Sequence, residues 1–165
     1  MAQALQRASW IWRRGEAGQD EFCDFLATVA VPEVGKRYFL HIAGDSNYTV
    51  WMNGQLCAFG QYADYPDYKV YDRVEITDSL RAGLNRMVAV VWYYGIDSQT
   101  YRKGEAGLIF EIVDEEGVSW FYSNDRFTHN PPTDIERFFD CPQNLREEER
   151  FLTPEWAKNK VIYQV

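Results

Sequence analysis

The segment from 59 to 68, FGQYADYPDY, has the densest set of side chains that could bind a small polar ligand. Tyrosine rings offer flat apolar faces that stack on the C–H face of a sugar ring, and aspartates accept hydrogen bonds from sugar hydroxyls. The segment therefore predicts a carbohydrate-binding site formed by Tyr62, Asp64, Tyr65, Asp67 and Tyr68. The alternative is that these tyrosines cover the end of the folded unit or contact a neighbouring module, because tyrosine is enriched at protein interfaces.

A second aromatic cluster, WYYGID at 92–97, follows the most apolar run of the chain and adds Trp92, Tyr94 and Asp97 to the predicted site. Trp51 completes the set, since it stands two residues before a turn and the period-2 alternation of a strand points it away from its apolar neighbours. If strands 48–53 and 87–94 end on the same side, Trp51 and Trp92 flank one concave surface. Trp51 would then be covered by a sugar or, the interpretation we favour slightly, by the rest of a larger protein.

Catalytic chemistry finds little support in the sequence. The chain contains no G-x-S-x-G, H-E-x-x-H, Walker or G-x-G-x-x-G motif, and it has only two histidines, His41 and His129. His41 alternates with apolar residues, which favours a partly solvated or hydrogen-bonded strand histidine over a general base. The acidic residues cluster at turns, where they aid solubility and turn formation, so a pair of catalytic carboxylates is not indicated. We expect no catalytic residue in this chain.

Composition limits the partners and the compartment. The chain has 165 residues with 46% hydrophobic and 16% aromatic residues, enough for one well-buried core. A net charge of -8 argues against nucleic acid, and no apolar run approaches the roughly 18 residues that a membrane helix needs. The three cysteines form no C-x-x-C pair and no secretory leader is recognisable, which predicts free thiols and a cytoplasmic location. No organic cofactor is expected; a structural calcium ion is compatible with the acidic loops, but no ligands can be named.

These side chains must be positioned by β-strands, since short apolar runs alternate with turn signals. The Asn53-Gly54 dipeptide predicts a tight type I′ hairpin, which with the preceding run makes an antiparallel meander. A capped helical turn is predicted at 77–80. The strand candidates are Tyr38–Ala43, Tyr48–Met52, Gln55–Phe59, Val70–Ile76, Met87–Tyr94, Leu108–Val113 and Ser119–Tyr122.

The character of the chain changes after about residue 130, where Pro131-Pro132 is followed by a stretch dense in Arg and Glu. We divide the chain into a β-sandwich module, 1–130, and a charged C-terminal extension or connector, 131–165, packing on the sandwich. Short helical turns are predicted in this tail at 145–151 and 153–155. Its last residues, VIYQV, are β-prone and could form a further strand.

Two stretches, YFLHIAGDSNYTVWMNGQLCAFG and VYDRVEITDSLRAGLNRMVAVVWYYG, resemble the N-terminal β-sandwich domain of bacterial α-L-rhamnosidases and the related sugar-binding domain of β-galactosidases. The resemblance covers about residues 10–128, from a W-I-W motif at 10–12 that would open the first strand to S-N-D-R-F at 123–127. It implies an all-β, mostly antiparallel jelly-roll sandwich of the galactose-binding type. In rhamnosidases the catalytic glutamates belong to a separate helical barrel, so no catalytic residue carries over.

Two functional hypotheses follow. In the first, the chain is a non-catalytic, carbohydrate-associated module of a larger α-L-rhamnosidase-like glycoside hydrolase and binds a rhamnose- or galactose-like sugar weakly. In the second, it only orients a catalytic domain of the same parent chain and binds no glycan; its aromatic surface would then promote self-association when that domain is absent. A free-standing enzyme is a third class, which nothing in the sequence supports.

Overall fold

Nine strands and a single 3₁₀ turn at Thr77–Ser79 make up the regular structure of the described residues. The computed structural model describes residues 5–13, 15–31, 35–60, 65–124 and, for the backbone, 162–164. The strands are β1 Glu21–Val31, β2 Tyr38–Asp45, β3 Asn47–Met52, β4 Gln55–Gly60, β5 Asp72–Glu75, β6 Gly83–Tyr93, β7 Gly107–Asp114, β8 Ser119–Tyr122 and β9 Ile162–Gln164.

The strands form two sheets, one of five strands in the order β4-β3-β6-β1-β9 and one of four in the order β5-β2-β7-β8. All strand pairs are antiparallel except β1 with β9. The inward residues of both sheets make one core, to which β3 contributes Val50 and β7 contributes Phe110, both fully buried. The predicted all-β, mostly antiparallel sandwich is therefore confirmed.

The strand at the centre of the five-stranded sheet is β6, which the sequence shows as an apolar run on both phases. Its odd residues from Met87 to Val91 lie in the core, whereas Val90 belongs to a second apolar cluster on the outer face. Burial on both faces is what a central strand requires. The strand begins at Gly83, four residues before the predicted start, because the register with β1 continues to Gly83 opposite Val31.

The hairpin between β3 and β4 is confirmed in its details. Asn53 and Gly54 both have positive φ, 53° and 82°, as a type I′ turn requires. The Asn53 side-chain amide also bonds residues outside the hairpin. Its Nδ2 donates to the carbonyl of Ser79 at 2.9 Å, and its Oδ1 accepts from the backbone N–H of Arg86 at 3.0 Å. Asn53 is thus a turn residue that also fastens the hairpin to β6 and to the 3₁₀ turn.

The N-terminal part of the fold differs from the prediction. Strand β1 was not predicted, although it makes an eleven-residue ladder with β6. The W-I-W motif opens no strand: only Ile11 makes an isolated bridge, with Leu108, while Trp12 packs against the core. Trp10 is 42% exposed and lies over Gly107, where a side chain would collide with its ring. The motif serves as edge packing, as the apolar character of its residues allows.

Other local predictions also need correction. Strands β2 and β3 lie in different sheets, so 38–60 is a crossover followed by a hairpin and not a three-stranded meander. Strand β5 spans only Asp72–Glu75. The 3₁₀ turn has no side-chain cap, because its N-cap residue is the apolar Ile76; the Thr77 hydroxyl accepts from the backbone N–H of Tyr38 at 3.0 Å.

The C-terminal prediction can be compared with the structure only at its end. The β-prone end of the chain does form a strand, β9, which pairs with β1. The helical turns predicted at 145–151 and 153–155 lie outside the described residues. The division at residue 130 stays a prediction.

Two further observations bear on the compartment. Cys23 and Cys57 are free thiols, as predicted, whereas Cys141 lies outside the described residues. In the part of the chain that the structure describes, no helix is long and apolar enough to cross a bilayer. The predicted cytoplasmic location stays a prediction.

The close packing of Tyr48 against Gly60 gives a stability prediction. A Cβ on Gly60 would lie 2.6 Å from Tyr48 Cζ, and this ring is held because it is buried and its hydroxyl bonds Asp72. We expect Gly60→Ala to lower the free energy of unfolding by about 1–3 kcal/mol, as overpacking does. Urea denaturation followed by circular dichroism measures it.

Gly44→Ala is the matched control, because its Cβ would meet the same ring at an ordinary 3.5 Å. We expect its stability to stay within about 1 kcal/mol of wild type. Equal losses in the two variants would show that the Tyr48 contact is not the cause.

Candidate functional site

An aromatic row, made of two aromatic side chains and one asparagine, crosses three strands on the outer face of the five-stranded sheet. The register places Trp92 of β6 between Phe22 of β1 and Asn47 of β3. These residues are in the outward phase, since their chain neighbours Cys23, Val91 and Tyr48 lie in the core. The Phe22 and Trp92 rings are stacked, with centroids 6.0 Å apart and planes inclined by 17°.

A groove of about 360 Å³ lies along this row. It is lined by Asp20, Phe22, Asn47, Tyr48, Thr49, Val90 and Trp92. Val90 lies two residues before Trp92 on β6 and is 3% exposed. The other outward lining residues are half-buried: Phe22, Asn47, Thr49 and Trp92. The groove therefore combines an apolar wall with amide, hydroxyl and carboxylate groups, the mixture found in pockets for small polar ligands.

Asp20 sets the polar end of the groove. Its Oδ1 accepts a hydrogen bond of 2.7 Å from the Trp92 indole Nε1, and its backbone N–H donates to the carbonyl of Tyr94 at 3.2 Å. Its φ of 55° lies in the left-handed region, which aspartate tolerates better than most residues. These contacts fix an exposed carboxylate beside the ring of Trp92.

A buried polar cluster is centred on Asp45, which is 0% exposed and directly precedes Ser46, a backbone partner of Trp92. Asp45 Oδ2 pairs with Lys69 Nζ at 2.7 Å, and Oδ1 accepts from the hydroxyls of Ser46, at 3.1 Å, and Tyr101. Since a buried carboxylate is costly unless paired and hydrogen-bonded, these partners are required for the fold at this end of the sandwich.

Ser46 connects the Asp45 cluster to the backbone of the aromatic row. Its backbone N–H donates to the carbonyl of Trp92 at 2.7 Å, and its hydroxyl accepts from the N–H of Tyr94 at 3.0 Å. Tyr101 stays a donor, because burial and its bond to Asp45 raise its pKa to about 12. The Asp45 cluster therefore fixes the backbone that carries Trp92.

The alternation predicted for Trp51 is confirmed, but its place in a shared concave surface is not. Trp51 is 9% exposed and packs in the outer-face cluster with Val90, Phe22 and Val88. Because β3 and β6 are antiparallel, Trp51 lies opposite Val88 and Asn47 lies opposite Trp92. Four residues of strand separate the two positions, about 13 Å. Trp51 is thus absent from the groove lining and is covered largely by its own chain.

The described part of the tyrosine loop, residues 65–68, does not line the groove. Tyr65 and Tyr68 form a tight turn, with a backbone hydrogen bond of 3.0 Å, and are 64% and 80% exposed. Asp67 between them is also exposed. Tyr62 and Asp64 lie outside the described residues. The structure leaves the described part of this loop as open surface, which fits a ligand site or an interface.

The other two predicted residues, Tyr94 and Asp97, do not line the groove. Tyr94 packs on Trp92, with centroids 5.4 Å apart, and on Tyr101 at 5.6 Å. Asp97 Oδ1 accepts from the backbone N–H of Lys103 at 2.8 Å, so it shapes the loop between β6 and β7. Among the predicted site residues that the structure describes, only Trp92 lines the groove.

Sequence reasoning missed Asp20, Phe22, Asn47 and Thr49. Phe22 was missed because β1 was not predicted, although Phe22 and Leu26 alternate with inward Cys23 and Phe25. Asn47 lies one residue before the predicted strand Tyr48–Met52, but β3 begins at this residue. The position of Asp20 depends on a long-range contact with Trp92 and has no local signal.

Catalytic and metal sites were sought among the described residues. No group of three or more His, Cys, Asp or Glu side chains there could hold a metal ion. His41 is 9% exposed, and neither ring nitrogen hydrogen-bonds a described residue, which differs from the expected solvated or bonded histidine. It lies between Arg73 and Glu111 across the sheet and 5.3 Å from the Tyr71 ring.

Comparison with known proteins confirms the resemblance. The GH78 family rhamnosidase of Bacillus sp. GL1 is similar over 74% of this chain, with 30% identity and a TM-score of 0.67. The α-L-rhamnosidase of Streptomyces avermitilis, solved with L-rhamnose, is similar over 79% of this chain, with 21% identity and a TM-score of 0.56. The chain spans only 13% of the length of either enzyme. It is thus the size of one domain of such enzymes.

A Pleurotus ostreatus lectin, solved with GalNAc, shares the fold at a TM-score of 0.50 and 18% identity, over 74% of this chain and 35% of its own. This likeness extends to the fold alone. No protein-family model and no curated protein matches the sequence.

His41 gives a pH prediction. Its pKa is lowered mainly by burial and then by the charge of Arg73, against the opposing effect of Glu111. The unfolded chain therefore binds more protons below about pH 6.5, and stability is lost as the pH falls. We expect the free energy of unfolding to decrease between pH 7 and 5, and to decrease less in His41→Gln, in urea titrations at each pH.

His129→Gln is the control, because it removes the other histidine of the chain. Hydrogen bonding to Arg37 lowers the pKa of Glu75. In Asp114 burial is outweighed by hydrogen bonds from Val118, Trp120 and Glu116, which lower its pKa. The contributions of both carboxylates are therefore lost at lower pH. A pH slope that is unchanged in His41→Gln would contradict the assignment to His41.

Proposed function

We propose that this chain is a non-catalytic module of a larger α-L-rhamnosidase-like glycoside hydrolase, and that it binds a sugar weakly in the groove beside Trp92. The modular part of the proposal rests on the 30% identity over 74% of this chain, combined with coverage of only 13% of the rhamnosidase from Bacillus. The parent protein would supply the catalytic domain. This chain alone would not hydrolyse a glycoside.

The observation that carries the sugar proposal is the stacked pair of Phe22 and Trp92 with a carboxylate fixed at its edge. Sugars expose C–H faces that bind aromatic rings and hydroxyls that need polar partners. Asn47 and Thr49 lie on the neighbouring strand of the same groove and supply amide and hydroxyl groups. A rhamnose- or galactose-like monosaccharide has both a C–H face and hydroxyls that these groups could bind.

The affinity should be low. The groove is an open surface feature whose aromatic residues are half-buried already, so binding removes a modest apolar area from water. A millimolar dissociation constant, about 4 kcal/mol, is the scale we expect. Phe22 and Trp92 already pack against each other before a sugar binds. Binding therefore immobilises few further side chains, and its entropy cost is small.

Calcium enters the proposal only as a component that is added to or left out of the binding experiment. Calcium prefers six to eight oxygen ligands, and no group of three or more His, Cys, Asp or Glu side chains among the described residues could hold a metal ion. We therefore name no ligands, and the binding experiment is designed with and without the ion.

The second candidate is an interface function in which the domain orients a catalytic domain of the same chain. One observation favours it: Leu56 and Phe59 on edge strand β4 are 51% and 73% exposed. The register places both on the outer face, opposite Trp51 and Thr49. Exposed apolar residues on an unpaired edge are typical of surfaces that are covered in the complete protein.

Sugar binding is predicted to depend on Trp92. Isothermal titration calorimetry of the chain with L-rhamnose, galactose and glucose, each with and without calcium, should give a saturable signal for at least one sugar. Trp92→Ala should weaken that binding at least tenfold, because it removes a stacking contact of about 0.5–1.5 kcal/mol together with the apolar area that the ring buries.

Tyr68→Ala is the matched control, since Tyr68 is an aromatic residue that the groove does not include. Far-ultraviolet circular dichroism checks that both variants fold. Loss of binding in Tyr68→Ala but not in Trp92→Ala would place the site on the tyrosine loop. No binding of any sugar at tens of millimolar would favour the interface function.

The interface function predicts self-association of the isolated chain. Sedimentation velocity should show a concentration-dependent increase in the sedimentation coefficient, which Leu56→Ser with Phe59→Ser reduces by removing exposed apolar surface. Val118→Ser is the control, because Val118 is 47% exposed in the turn between β7 and β8. A chain that stays monomeric at all concentrations would argue against self-association through the exposed apolar residues of β4.

A further inference from the structure

The charges around the groove are one-sided. Of its seven lining residues, Asp20 is the only one that carries a charge at neutral pH, and none is basic. We propose that the groove selects sugars by charge, accepting neutral and amino sugars and rejecting uronic acids. This inference rests on the proposed sugar-binding function and specifies its ligand class.

The position of Asp20 makes its charge effective. The bond from Trp92 Nε1 holds the carboxylate at the edge of the ring on which a sugar would stack. A carboxylate has about four acceptor positions, of which the indole occupies one, so further positions remain for a ligand hydroxyl or ammonium group. A sugar carboxylate at the same place would meet a like charge and could not donate a hydrogen bond in its ionised form.

The neighbouring charges do not reverse this preference. Arg13 is the described basic residue that precedes Asp20 most closely in sequence, and it forms an ion pair with Glu21. Arg13 also donates to the carbonyl of Glu16 at 2.8 Å. The whole chain carries a net charge of -8, which adds a long-range repulsion of anions.

The size of the effect follows from the exposure of Asp20. Charge pairs at exposed sites contribute little, since water and salt screen them. We therefore expect about two- to fivefold between successive members of a charge series, decreasing as salt is added. A larger factor is expected only between the two charged members.

The experiment compares galactosamine, galactose and galacturonate. Each charged sugar differs from galactose at one position, C2 for the amine and C6 for the carboxylate. Titrations at about pH 6 keep the amine protonated and the carboxylates ionised. We expect affinity to fall in the order galactosamine, galactose, galacturonate. Asp20→Asn should bring the three affinities within about twofold of one another, since the asparagine Oδ1 can still accept from Trp92 while the charge is lost.

Asp97→Asn is the matched control, because it removes one exposed carboxylate from a loop outside the groove lining and should keep the order. A second measurement needs no variant: raising the ionic strength from about 0.02 to 0.5 M should reduce the discrimination in the wild-type chain.

The outcomes separate the two proposals. Galacturonate binding as tightly as galactose, or an order that persists in Asp20→Asn, would overturn the charge selection while leaving sugar binding intact. If none of the three sugars nor L-rhamnose binds, the sugar-binding function itself fails. The predicted order, lost in Asp20→Asn and kept in Asp97→Asn, supports both.

Discussion

The fully buried carboxylate of Asp45 is the constraint on which the candidate site depends. It stands at the point where the chain leaves the four-stranded sheet and enters the five-stranded one. Its partners Lys69 and Tyr101 come from two different loops, so satisfying one charge fixes three segments together. Packing alone would not do this, because apolar contacts are not directional. The neighbouring Ser46 then holds the backbone of Trp92, which links this constraint to the groove.

The sheet that carries Trp92 has two apolar faces with different roles. Its inner face closes the core of the sandwich, while its outer face carries the groove at one end and Trp51 further along. The outer apolar residues continue to Phe59 on edge strand β4, which is 73% exposed. A ligand groove and an uncovered edge on one face are compatible with a domain that has both a sugar and a protein neighbour. The two candidate functions therefore use adjacent surfaces and can be tested separately.

Local sequence signals predicted those features that depend on local geometry. Asn53-Gly54 determines a hairpin by its backbone preferences, and the alternation around Trp51 determines which face that residue takes. The strand content and the sandwich followed from patterns of the same kind and from the resemblance to rhamnosidases. The groove did not, because Phe22 and Trp92 are brought together by a strand pairing across 70 positions of sequence. Nor could alternation show that β3 and β6 run antiparallel, which separates Trp51 from Trp92.

The central claim is that the groove beside Trp92, and not the tyrosine loop, is where this domain binds a sugar. The most direct test is a ¹H–¹⁵N correlation spectrum of the chain recorded during titration with the sugar that binds most tightly. The account predicts that the Trp92 indole signal and the amides of Phe22, Asn47 and Thr49 shift together and saturate with one dissociation constant. Shifts confined to residues 65–68, with the Trp92 indole unmoved, would contradict it.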